Sequence, residues 1–405
     1  MPKQPVRSSQ HRNLTRAAGI VFRGGPDARN LWRPEHEKLF NDIQELGRTR
    51  HESYALGESW DVPWELRNKQ RATELAETAE QCRLDCQNEA GWRLEIEPIV
   101  FRQLKREITC SGSGLSSLFS SRAERVVERN ANDSRIAPGR RKPDRVYGLR
   151  QTNDISSVLQ AEILHGQDTE ASLRRVRDLM DMNTLVDNGG ELLLFPFLVT
   201  EAKQEEGKDT FGTAQSQTAF PIKKLLTQQQ QLNDLTGNET TAPGGPLVWF
   251  LASVGADWRV YAAFVSVKED EPSYVVSHLW SGCITHLDAA LQLLLIVDYV
   301  VDWAREIFRP NILRQLKSLS AMVGSDMATV TRKSDEPSRG PAPTAAYAQV
   351  YSPHSDDNDI CMDDAENNPS GPDGPLGDQK PGRPLGPGLT SRILKGLLWL
   401  TALSS

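Results

Sequence analysis

From Leu192 to Ala202 the chain reads Leu-Leu-Leu-Phe-Pro-Phe-Leu-Val-Thr-Glu-Ala, a continuous apolar run of the kind expected for a strand covered on both faces. Two charges then interrupt it. Because strand side chains alternate, Glu201 and Lys203 project to one face and Ala202 to the other. Upstream, Lys142 to Leu149 reads as a short strand opened by Pro143, a position that needs no ladder donor. Downstream, Phe211 to Leu235 reads as a helix on the spacing of Phe220, Leu225, Leu226 and Leu232. Three β-branched and aromatic runs follow, Leu247 to Ser253, Trp258 to Val267 and Tyr274 to Leu279, separated by turn residues.

An earlier helix is predicted from Glu89, with Trp92, Ile96, Ile99 and Gln103 at helical spacing and a kink or break near Pro98. Leu287 to Trp303 is apolar but interrupted by Asp288, Asp298 and Asp302, so it reads as a core helix rather than a membrane span. The order of helix, strands, helix and strands is that of an α/β domain.

The flanks differ in composition. Residues 1–30 carry Lys3, Arg7, Arg12, Arg16, Arg23 and Arg29 against the single acid Asp27, which predicts a disordered basic tail with no secretory core. Residues 31–325 read as one domain. Residues 326–390 read as disordered, since ten of the 24 prolines fall between 333 and 390 among many Gly, Asp and Ser. Residues 391–405 turn abruptly apolar but are too short to cross a bilayer as a helix.

The five cysteines, Cys82, Cys86, Cys110, Cys283 and Cys361, form no Cys-x-x-Cys pair, which disfavours a zinc site and fits free thiols in a reducing compartment. An intracellular location follows, nucleus or cytoplasm, with the Arg-rich start also compatible with a mitochondrial presequence. No Gly-rich phosphate loop, Gly-x-Ser-x-Gly elbow or His-Glu-x-x-His motif supports a competing enzyme class.

The candidate chemistry lies in two short motifs, Pro143-Asp144 and Glu201-Ala202-Lys203. A hard cation such as Mg2+ takes oxygen ligands from one or two carboxylates and keeps its waters, and a nearby lysine can polarise the attacking water. Asp144 and Glu201 are the candidate ligands and Lys203 the ammonium. The plainer reading is a strand running out into solvent. Glu89 shares a face with the apolar residues of its helix, where a carboxylate is costly unless paired or metal-bound. It also follows Asn88, a good N-cap, and so reads equally as an acid at a helix N-terminus. The basic run Arg140, Arg141, Lys142 and Arg145 brackets Asp144 and is suited either to phosphate contact or to solvent. With a net charge of −7, any nucleic-acid binding must rely on a local basic patch of this kind.

These motifs and their order resemble the PD-(D/E)xK nuclease superfamily, and more narrowly the fungal proteins described as containing a PD-(D/E)xK nuclease-like domain. Asn88-Glu89-Ala90-x-Trp92, Lys142-Pro143-Asp144, Glu201-Ala202-Lys203 and the Gln-rich helix after them carry the likeness, over roughly residues 35 to 320. It implies a restriction-endonuclease-like core, a mixed central sheet flanked by helices, and a Mg2+- or Mn2+-dependent nuclease acting on DNA or RNA. On that pattern Asp144, Glu201 and the Ala202 carbonyl hold the metal, Lys203 assists the water, Glu89 is a further acid, and Gln215 or Gln217 stands near the site. One departure is the 56 residues between Asp144 and Glu201, which require an inserted helix, for which Asp168 to Asn183 is suited. The alternatives are a catalytically inactive nuclease-fold module that binds nucleic acid or protein, and a transposon-derived or effector-like protein acting through a protein partner.

Overall fold

Strict alternation along the central strands decides the architecture. In the run Leu247–Val254, the side chains of Leu247, Trp249 and Leu251 enter one hydrophobic cluster while Val248, Phe250 and Ala252 enter another. A strand that is apolar on both sides must be covered on both sides. The computed structural model describes residues 15–16, 18–24, 26–54, 62–109, 117–123, 143–161, 193–204, 210–237, 245–268 and 271–330. In it a mixed sheet of seven strands carries helices on each face.

In chain order the strands are β1 (Ile20–Arg23), β2 (Phe119–Ala123), β3 (Arg145–Arg150), β4 (Leu193–Lys203), β5 (Leu247–Val254), β6 (Asp257–Lys268) and β7 (Glu271–Cys283). They lie in the order β1-β7-β6-β5-β4-β3-β2. The pairs β4/β5 and β1/β7 are parallel and the others antiparallel. The main helices are α1 (Pro34–Leu46), α2 (Val62–Leu84), α3 (Glu89–Val100), α4 (Arg102–Thr109), α5 (Asn153–Ala161), α6 (Thr210–Leu235), α7 (Leu287–Trp303) and α8 (Arg309–Val330).

Residues of α1, α2, α3 and α7 build the larger core on one face around Phe40, Trp249 and Trp303. The other face is closed by α6, whose Ala214, Ile222, Leu225 and Leu226 pack on Val199, Phe250 and Tyr261. Each large side chain so buried contributes on the order of 1.5–3 kcal/mol. A π-helical turn, Ala304–Phe308, joins α7 to α8, with the Trp303 and Phe308 rings stacked at 5.1 Å. The apolar α7 is buried along most of its length, as its sequence predicts, and no described helix is long and apolar enough to cross a membrane.

Several expectations need correction. The interval 1–30, read as a disordered basic tail, contains β1, which pairs in parallel with β7 through Ile20↔Tyr274 to Arg23↔Ser277. Four residues are too few to register a period in sequence, and the partner strand lies some 250 residues away. The helical spacing extended to Gln103 is broken at Phe101: α3 ends at Val100, two residues after Pro98, and Gln103 belongs to α4. The last helix runs to Val330, past the expected boundary at 325. In the long connection between the two motifs, α5 follows β3 directly and was not foreseen. The helix expected over Asp168 to Asn183 and the segments from 331 onward lie outside the described residues.

A second departure sits inside β4. Between Tyr147↔Leu198 and Leu149↔Leu194 the register shifts, so that β4 holds a bulge around Phe195, at φ 42°, and Pro196. Proline has no N–H for the ladder, and a bulge is where a strand tolerates it. Gly148 lies across from the bulge. A β-carbon there would meet the Leu194 carbonyl oxygen at 2.8 Å and the Pro196 Cα at 3.0 Å, both backbone atoms with little room to yield.

Gly148→Ala is therefore expected to lower stability by about 1–3 kcal/mol, the usual penalty of overpacking, measured by urea unfolding. An alanine variant as stable as the original chain would show that the bulge does not need this close approach.

Candidate functional site

Asp144 and Glu201 are separated by 56 intervening residues in sequence, yet the β3/β4 ladder places them side by side. Arg145 pairs with Thr200, so the residue before β3 falls beside the residue after Thr200. A crossed pair of hydrogen bonds closes the junction. The Asp144 amide donates to Glu201 Oε2 at 3.2 Å, and the Ala202 amide donates to Asp144 Oδ2 at 2.6 Å. Each carboxylate thus accepts an N–H from the other motif's backbone, which fixes both side chains without using all their lone pairs.

Lys203 turns back onto the same group. Its Nζ lies 2.6 Å from Glu201 Oε1, donates to the Ala202 carbonyl at 2.7 Å, and stands 3.9 Å from Glu89 Oε2. Exposure rises outward along the cluster: the side chain of Glu201 is 1% exposed, Asp144 12%, Lys203 15% and Glu89 36%. The site therefore opens to solvent on the Glu89 side. Glu89 stands in the first turn of α3, which Asn88 caps by accepting from the Gly91 amide at 2.9 Å, and its carboxylate comes within 3.9 Å of Lys203.

Two residues that sequence reasoning missed complete the cluster. Arg93 Nη1 donates to Asp144 Oδ1 at 3.3 Å and Nη2 to the Asp144 carbonyl at 3.4 Å. Its Nε pairs with Glu97 Oε1 at 3.2 Å, and Glu97 Oε2 lies 3.3 Å from Arg145 Nε, an ion pair whose angle is not that of a hydrogen bond. In sequence Arg93 and Glu97 look like an ordinary i,i+4 pair on a helix surface. Only the placement of α3 against the start of β3 makes them part of the site. Arg145, one of the basic residues bracketing Asp144, is thereby engaged, while Arg140, Arg141 and Lys142 lie outside the described residues.

Gln215 and Gln217 stand on α6, the helix that covers this face of the sheet. Gln215 donates to the Tyr261 hydroxyl at 3.1 Å. Gln217, the neighbouring candidate, has its Oε1 buried with no hydrogen-bond partner among the described residues.

The cluster sets four acids, Glu89, Glu97, Asp144 and Glu201, against three bases, Arg93, Arg145 and Lys203. Burial and then the Asp144 charge push the Glu201 carboxyl up to about 7, against the pull of Lys203 and the Asp144 amide. The donor set suits a hard cation. The Lys203 ammonium already takes the Glu201 carboxylate and the Ala202 carbonyl as a cation would, and these are two of the three ligands implied for a metal. Among the described residues no group of three or more His, Cys, Asp or Glu is arranged to hold an ion. A cation here would rest on two carboxylates, one carbonyl and water, a pattern that suits Mg2+ better than zinc. No protein-family model, curated protein or solved structure matches the chain.

Because the folded state holds the Glu201 proton above the ordinary value of 4.5, the native protein binds more protons than the unfolded chain between pH 4.5 and about 7. Stability falls as pH rises through that interval and levels off above it. Glu201→Gln, neutral throughout, should gain stability on the original chain progressively from pH 5 to pH 8, reaching on the order of 3 kcal/mol in urea unfolding with EDTA present. An advantage equal at pH 5 and pH 8 would contradict the buried, proton-holding carboxyl.

Proposed function

We propose that this chain is a nuclease of the PD-(D/E)xK type, with a restriction-endonuclease-like core, that hydrolyses phosphodiester bonds of DNA or RNA with Mg2+ or Mn2+. The observation that carries the reading is the crossed hydrogen bonding of Asp144 with Glu201 and Ala202, with Lys203 on the same carboxylate. A mixed sheet flanked by helices is the architecture the resemblance implies, and the motifs stand at adjoining strand ends within it.

Asp144, Glu201 and the Ala202 carbonyl would hold the metal, which supplies a more acidic bound water and neutralises charge on the phosphoryl oxygens. Everything else falls to the protein. Arg93 holds Asp144 by side chain and carbonyl together, so the carboxylate is oriented before any ligand arrives. Glu201, whose proton is held by burial and then by the Asp144 charge, would give it up on binding a cation. Lys203, now on the Ala202 carbonyl and Glu201 and 3.9 Å from Glu89, would supply the ammonium that polarises the attacking water or the leaving oxygen.

A second reading has its own support. Asp144 and Glu201 are each already satisfied by Arg93 and Lys203, and no third ligating side chain joins them among the described residues. A nuclease fold that binds nucleic acid or a protein partner without cleaving needs nothing more than this.

Cleavage of labelled DNA and RNA by the full chain separates the two. Alanine at Asp144, Glu201 or Lys203 should each remove nearly all Mg2+-dependent hydrolysis, and the triple variant should be scarcely worse than any single one because the residues act as a unit. Glu89→Gln should lose activity severely if its carboxylate serves the site and mildly if it serves the helix end. Absence of cleavage by the original chain with either metal favours the binding module.

A further inference from the structure

The row of the sheet that carries Glu201 continues beyond the cluster. Glu201 on β4 pairs with Ala252 on β5, and Ala252 pairs with Arg259 on β6. Paired residues of a ladder project to the same face, so Glu201, Ala252 and Arg259 share the face covered by α6. With strands about 4.8 Å apart, the guanidinium-bearing residue is rooted about 10 Å from the acid across a single alanine.

Arg259 is half-buried and lacks the partner such a residue ordinarily has. Its guanidinium lies over the ring of Phe211 at 3.9 Å, in the first turn of α6, and no carboxylate of the described residues pairs with it. Every other arginine or lysine near the acids is engaged: Arg93 and Arg145 with Glu97, and Lys203 with Glu201. A guanidinium over an aromatic face uses its π surface and leaves its in-plane N–H donors available, and those donors can take two phosphate oxygens at once. The charge is also felt locally: burial first and then Arg259 hold the neighbouring His278 below its ordinary value.

We infer that Arg259 is the phosphate-binding residue of this face, holding a backbone phosphate of a nucleic-acid strand that runs across the sheet end from Arg259 to Glu201. This deepens the nuclease reading and rests on it for the strand's direction toward the carboxylates. Arg259 is a positioning residue: it touches the substrate backbone away from the bond that is cleaved. It also supplies a local cation to a chain whose net charge is −7.

Binding without cleavage tests the inference. Fluorescence anisotropy of labelled single- and double-stranded oligonucleotides with the full chain in EDTA gives the dissociation constant and its salt dependence. Arg259→Gln keeps a stem over Phe211 but removes the charge. It should weaken binding about tenfold and lower the slope of log affinity against log salt by about 0.7 for a single strand or 0.9 for a duplex, the loss of one phosphate contact. Arg259→Lys should keep most of the slope and lose part of the affinity, because the charge remains without the fork. If the glutamine variant folds poorly by circular dichroism, the lysine variant decides the matter alone, since unaltered affinity in it denies a role to the bidentate geometry.

Unaltered affinity and slope in Arg259→Gln, or no binding of either oligonucleotide by the original chain, would overturn the inference. A weakened glutamine variant of a chain that never cleaves with Mg2+ would uphold the phosphate contact and reject the nuclease reading. The reverse pattern, cleavage by the original chain and undiminished binding by the variant, would uphold the nuclease and reject Arg259.

Discussion

A carboxylate with one per cent of its side chain exposed, at the end of a core strand, is the constraint around which the rest of this site is arranged. Burying a charge is costly unless it is paired and hydrogen-bonded. Glu201 is met by the Asp144 amide on one oxygen and by Lys203 on the other. Asp144, drawn in by that contact, brings a second negative charge, and Arg93 answers it from α3. Arg93 in turn needs Glu97, and Glu97 engages Arg145 at the head of β3. The chain of compensation ties α3, β3 and β4 together, so the position of α3 on the sheet depends on polar contacts at its first turns as much as on Trp92 and Ile96 in the core.

How far this was legible in sequence follows from the range of each interaction. The buried strands declared themselves because an apolar run such as Leu247 to Val254 needs no knowledge of its partners to be read. Glu201 and Lys203 were placed on one face by alternation alone, and the ladder register agrees with that placement. Their meeting with Asp144 was implied by resemblance and not by spacing, since a connection of 56 residues says nothing about register. The β4 bulge was hidden because Phe195 and Pro196 are as apolar as the strand around them, and only the register shift reveals it. Strand β1 was hidden for the opposite reason. Its arginine-flanked residues are stabilised by backbone pairing with β7, which leaves little trace in side-chain pattern.

Arg93 and Arg259 illustrate a further limit. Each sits where a local reading finds an ordinary solvated base, one on a helix surface and one within an alternating strand. Their roles depend on what the fold sets opposite them, a carboxylate for Arg93 and, among the described residues, an aromatic ring for Arg259. A motif search weighted toward acids finds neither, because the informative property is pairing and not residue type.

The same sheet face offers an internal comparison that bears on why the polar row exists at all. One step along the strands, Val199, Phe250 and Tyr261 occupy the equivalent row and are packed by the apolar residues of α6, with the Phe250 and Tyr261 rings stacked at 5.1 Å. Stability alone would favour extending that arrangement to the next row, because well-packed apolar residues commonly match or exceed a buried ion pair of similar volume. The next row instead carries Glu201, Ala252 and Arg259: a buried acid whose carboxyl is pushed up by burial and then by the Asp144 charge, a small residue, and a guanidinium set over an aromatic ring. At this end of one face the fold departs from its own packing rule, joining Glu201 to Lys203 and the Asp144 amide while Arg259 lies over the Phe211 ring, so the row is held by polar and cation–π contacts rather than by apolar packing. On the proposed reading, a cation beside Glu201 and a phosphate on Arg259 are the two ligands whose charges would complement this row.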